Sequence, residues 1–106
     1  MAARVREVVW AESARDALDE VIEYIAQDSQ PAAIQVLEEA LRAASSLATF
    51  SERGRIVPEL NDPTVREVFV FRYRLLYEVG DDRVLVVAFL HGARDFATWR
   101  QNQKQL

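Results

Sequence analysis

The chain has 106 residues, no cysteine and a formal charge of -4, with half of its residues hydrophobic. That length suits one domain spanning 1–106 with a core of its own, and the lack of cysteine excludes a disulfide scaffold, a thiolate metal site and a thiol nucleophile. The acidic balance argues against a generic nucleic-acid binder, and the absence of a membrane-length apolar run or an apolar N-terminal signal predicts a cytosolic protein without membrane association.

Residues 4–10 (RVREVVW) alternate briefly and then run apolar, which predicts a short first strand. Ser13 and Asp16 offer a capping pair for the helix that follows. Ala14, Ala17, Leu18, Val21, Ile22 and Ile25 recur at helical spacing, with Asp16, Asp19, Glu20 and Glu23 on the other side, so a half-buried helix ending near Asp28 is expected. Pro31 fits the first turn of a second helix, where its missing N–H leaves nothing unpaired. Ala33, Leu37, Ala40, Leu41, Ala44 and Leu47 form that helix's apolar stripe. Its alanines allow close approach, which predicts an antiparallel helix hairpin.

After Phe50 the composition changes. Gly54, Pro58 and Asn61-Asp62-Pro63 mark a loop with a short extended piece at Arg55 to Val57. Glu67 to Val79 reads on pattern alone as one strand, long for so small a domain, unless a tight reversal near Phe71-Arg72 divides it. Gly80-Asp81-Asp82 is a hairpin turn, and Arg83 to Leu90 is a strongly apolar strand. The stretch 95–106 is a polar C-terminal tail that either forms a short helix or frays. The expected fold is therefore α+β: an N-terminal strand, an antiparallel helix hairpin, then a three-stranded antiparallel meander, with the helices on one sheet face.

Charge divides unevenly along this order. Residues 1–50 hold four arginines against nine carboxylates, whereas residues 51–106 hold nine basic and eight acidic side chains. Arg53, Arg55, Arg66, Arg72, Arg74, Arg94 and the single histidine, His91, all fall in or beside the strands of the second half. Arg72 and Arg74, two apart in an extended segment, are expected to leave the same sheet face, with Arg66 and Arg94 converging on it. Converging guanidiniums suit a phosphodiester backbone or a carboxylate-rich partner. The plainer reading pairs them with Glu59, Glu67, Glu78 and Asp95 on a solvated face. His91 is a candidate general acid or base, with Glu59 or Tyr77 as its second group, or else an ordinary strand-end residue. Trp10, Phe69, Tyr73 and Tyr77 read as packing residues, and Trp99 as either an anchor for the tail or part of a contact surface. No P-loop, dinucleotide fingerprint or paired-histidine motif occurs, so no metal and no cofactor is expected.

Element order, together with Gly54-Arg55, Pro58-Glu59, Arg66-Glu67, Tyr73-Arg74, Tyr77, His91-Gly92 and Arg94, resembles the RelE/ParE family, the toxins of bacterial type II toxin–antitoxin systems. The likeness runs from Val8-Val9-Trp10 to Arg94 and implies that Phe71-Arg72 is a tight turn between two strands. RelE-like members cleave messenger RNA on the ribosome through basic residues of the central strands and a near-C-terminal tyrosine or histidine. ParE-like members lack that set and are associated with poisoning DNA gyrase, growth inhibition and plasmid stabilization. Arg74 matches the family's YR-x-x-Y arginine and Arg94 the arginine after the last strand. The RelE-type lysines are absent, Arg66 being the only base in Val65-Arg66-Glu67, and Trp99 and Arg100 stand near the place of the terminal tyrosine.

The resemblance thus implies a ParE-like binding poison of gyrase, with Arg55, Glu59, Arg66, Arg72, Arg74, Arg94 and Trp99 on its target- or antitoxin-binding surface. It also implies a cognate antitoxin that assembles with the toxin into a hetero-oligomer. The alternatives are a ribosome-dependent endoribonuclease using Arg66, Arg74, Arg94 and His91, and a degenerate, non-toxic module that only binds antitoxin.

Overall fold

A computed structural model of the chain describes residues 4–104, without the side chains of Ala93, Arg94 and Lys104. Five strands, β1 (Glu7–Trp10), β2 (Arg55–Ile56), β3 (Val65–Val70), β4 (Tyr73–Val79) and β5 (Arg83–Leu90), form one mixed sheet in the order β1-β5-β4-β3-β2. β3, β4 and β5 are the expected antiparallel meander, β2 is the short extended piece, and β1 joins the far edge parallel to β5. Helices α1 (Glu12–Ala26) and α2 (Gln30–Ser46) cover one face of the sheet, and α3 (Gly92–Lys104) lies on the other. Among the described residues no helix is long and apolar enough to cross a membrane.

The start of α1 differs from the expected Ser13–Asp16 box. Ala11 is the N-cap and offers no side-chain bond. Its backbone N–H instead donates to the Val86 carbonyl (2.9 Å), so the sheet sets where the chain turns from β1 into the helix. α2 starts conventionally: Ser29 Oγ accepts from the Ala32 N–H at 3.2 Å, with Pro31 in the first turn. Its stripe is rotated from the expected one. Val36 and Ala43 are buried while Leu41 is exposed, because α2 must pack on both α1 and β3.

Two local features decide which side chains share a face. Val70 pairs with Tyr73 across a two-residue turn, Phe71-Arg72, so the long apolar segment divides where the family likeness implied. In β5, Leu76 pairs with Ala88 but Tyr77 with Val86, leaving Val87 as the extra residue of a bulge. Val84 and Val86 therefore face the helices while Ala88 and Leu90 face α3. Without the bulge all four would share one face. The tail is a helix that begins at Gly92, earlier than the 95–106 boundary. Asp95 Oδ2 accepts the His91 N–H at its start (3.1 Å), and Phe96 and Trp99 pack over Leu76, Ala88 and Leu90. Helices thus lie on both faces of the sheet, because its α3 side also carries apolar residues to be covered.

Candidate functional site

The α3-covered face carries a closed ionic network. Glu67 on β3 and Arg74 on β4 leave the sheet on this side, and Arg74 Nε donates to Glu67 Oε1 at 2.5 Å. The guanidinium also grips Glu59 with both terminal nitrogens, each at 2.9 Å. Arg55, on β2, donates from Nε to the other Glu67 oxygen at 2.7 Å. Two arginines and two carboxylates are thereby neutralised in a chain of one fork, Arg74 on Glu59, and two single bonds to Glu67. The Glu67 side chain has no exposed surface and that of Arg74 only 9%. Phe96 of α3 closes the site, its ring centre 4.9 Å from the Arg74 guanidinium, and Arg100 donates to the Glu59 carbonyl at 3.2 Å.

The neighbouring titratable groups are held away from acid–base work. The Arg74 guanidinium beside Glu59 holds that carboxyl below its ordinary range, against a smaller opposing effect of burial. Burial pushes the Tyr77 hydroxyl up, only partly offset by the hydrogen bond from the Gly54 N–H (2.9 Å). Glu59 is thus a weak base and Tyr77 a reluctant acid near neutrality. Because Glu59 is more acidic folded than unfolded, its pairing stabilises the fold fully above the ordinary glutamate value of 4.5 and is lost as pH falls below it. Glu59→Gln should therefore be less stable than the parent at pH 7, with the difference shrinking in urea titrations run towards pH 3. A gap that stays constant with pH would show that the pairing contributes nothing.

Of the arginines expected to converge, Arg66 and Arg72 do not join Arg74. Arg66 pairs across the sheet with Tyr77 and shares its helix-covered face, opposite Arg74. It donates to the Gly54 carbonyl at 3.0 Å, and its Nε is buried without a partner. Arg72 sits in the turn, exposed, so the two-residue spacing does not align it with Arg74. The turn interrupts the strand between them, and strand periodicity does not carry through it. The Arg94 side chain lies outside the described residues.

His91 is exposed and its ring lies 5.1 Å from that of Tyr73, which packs with the helix-side core. It therefore does not join Arg74. Trp99 is half-buried against Phe96 at 5.6 Å, so it anchors α3, with its Nε1 buried and unpaired. Phe69, expected to be packed, is 54% exposed with Arg55 lying over its ring at 5.1 Å. Sequence reasoning named Glu67 only as one possible partner among four. Its position between Val65 and Phe69, the apolar residues two before and two after it on the same strand face, was the available sign of a buried, paired carboxylate. Among the described residues no three His, Cys, Asp or Glu side chains cluster as metal ligands.

Residues 8–96 match the family model for the ParE toxin of the type II toxin–antitoxin system parDE. Toxin RelE2 of Caulobacter vibrioides is 37% identical over 89 residues, covering 83% of this chain and 97% of that protein. A solved structure described as the chromosomal ParDE toxin–antitoxin system from P. aeruginosa superposes with a TM-score of 0.69, covering 86% of this chain and 100% of that one. At 14% identity, that likeness speaks to the fold alone.

Proposed function

This chain belongs to the ParE toxin family of type II toxin–antitoxin systems, and from that membership we propose that it arrests growth by binding DNA gyrase rather than by hydrolysing RNA. The observation that carries the reading is the state of Arg74. An arginine that stabilises charge on a reacting phosphate must be available to it. Here the guanidinium is enclosed, with both ends of its fork on Glu59 and its Nε on Glu67. The acid–base candidates support the same view, since Glu59 is tied to Arg74, Tyr77 is buried and His91 is directed to Tyr73. The net charge of -4 adds long-range repulsion from a ribosomal phosphate field.

The proposal includes a cognate antitoxin that binds the toxin and silences it. A cleft of about 480 Å³ between β1 and the helix pair, lined by Val9, Trp10, Leu18, Leu37 and Leu41 together with the charged Arg15 and Asp19, suits an amphipathic partner helix. Purified protein is expected to inhibit gyrase supercoiling in a dose-dependent way, with relief on adding the antitoxin. Primer extension on translated message is expected to show no codon-positioned cleavage. Normal supercoiling at saturating protein would overturn the gyrase target. Cleavage at codon positions would restore the nuclease reading, with Arg66, Arg74, Arg94 and His91 as its candidates.

A further inference from the structure

Phe69 and Phe71, at the end of β3 and in the turn before β4, are 54% and 55% exposed. Phe71 also holds a φ of 54°. That left-handed conformation is natural for glycine and strained for a large side chain. Packing in a core offsets such strain elsewhere in proteins, but this ring stands in solvent. Strain kept at an exposed position, for a ring that gains little from folding, points to a contact outside the chain.

The surroundings define what kind of contact. Arg72 follows directly, exposed, and among the described residues it forms no ion pair. The Arg55 guanidinium covers Phe69 and gives its Nε to Glu67, while more than half of its side chain remains exposed. β2 begins at Arg55, paired with Glu67, and runs away from the tip, so among the described residues no strand flanks Phe69 on that edge. The tip thus presents two exposed aromatic rings, one under the Arg55 guanidinium and the other next in the chain to the exposed Arg72, on a chain that is acidic as a whole.

We propose that this β3–β4 hairpin tip, formed by Phe69, Phe71, Arg72 and Arg55, is the surface that docks the toxin on its target protein, in an apolar socket rimmed by carboxylates. The rings need an apolar socket to gain from leaving water, and the guanidiniums need carboxylates to replace their hydration. A nucleic-acid partner is disfavoured, because two cations, one already facing Glu67, neutralise few phosphates. The inference rests on the reading of this protein as a binding toxin.

The test compares the full chain with Phe71→Gly and Arg72→Glu in three measurements. These are growth arrest on induced expression, binding to purified gyrase and thermal unfolding. Phe71→Gly is expected to match or exceed the parent Tm, since glycine relieves the turn. Its gyrase affinity and growth-arrest potency should each fall roughly tenfold or more, as for loss of a central aromatic anchor. Arg72→Glu should weaken both by reversing the charge at the rim. Growth arrest by Phe71→Gly at parental potency would overturn the proposal, as would a clear drop in its Tm, which would make the ring structural. Tip-dependent binding of a single-stranded RNA oligonucleotide, or a parent chain that arrests nothing, would overturn it too. If the parent arrests growth without inhibiting supercoiling, the gyrase reading fails. The hairpin is then decided by growth arrest alone.

Discussion

Gly54→Ala is expected to destabilise the fold by about 2–5 kcal/mol, combining overpacking with damage to a buried hydrogen bond. A Cβ at Gly54 meets the Glu67 carbonyl oxygen at 2.5 Å and the Tyr77 hydroxyl at 2.6 Å. Neither can retreat easily. The carbonyl belongs to the backbone of β3, and the hydroxyl accepts the Gly54 N–H on a fully buried ring. The loss is a large fraction of the roughly 5–15 kcal/mol that holds a domain of this size together. Urea unfolding of the parent and the variant measures it directly. Tyr77→Phe should not rescue the variant, because it removes only one of the two obstructing groups and strands the Gly54 N–H. A Gly54→Ala protein within about 0.5 kcal/mol of the parent, the range of neutral surface substitutions, would show that β2 shifts freely away from β3.

Arg74→Met should be destabilising by about 3 kcal/mol, towards the low end for breaking a buried ion pair because Arg55 still holds one oxygen of Glu67. The harm comes chiefly from what is left behind, a carboxylate with no exposed surface facing a thioether. A second substitution separates this from simple loss of contact. Arg74→Met combined with Glu67→Leu should recover part of the stability, since the fully buried carboxylate is then gone and the charges that lose a partner, Glu59 and Arg55, both keep exposed surface. If the double variant is less stable than Arg74→Met alone, the network is held by its packing rather than by charge compensation. For function, growth arrest by Arg74 variants should follow their stability and return at lower temperature. A nuclease would stay inactive however well the variant folded.

The second-half arginines show how far the sequence could be read. Their concentration beside strands was visible, and so were the carboxylates that proved to hold two of them. Which cation met which acid was not. Arg66 and Arg74 are separated in the chain by eight positions and a hairpin, and the turn at Phe71-Arg72 sends them to opposite faces. That turn carries no glycine, asparagine or aspartate, so the usual chemical sign of a two-residue reversal is missing. The bulge at Val87 was equally silent, because an apolar run looks the same with or without an unpaired residue.

Local composition was sufficient for the helix pair, the strand segments and the break at Pro31, because these depend on side-chain periodicity and backbone restriction within a few residues. The phrases around Gly54, Tyr73-Arg74 and His91 were sufficient for the family. Tertiary structure alone decided that Ala11 is the N-cap of α1, that the tail covers the second face of the sheet, and that Arg74 is enclosed while the Phe71 tip is bare. Each of those outcomes depends on which residue lies across from which after the chain has reversed. A one-residue shift in pairing changes the face of every side chain that follows it.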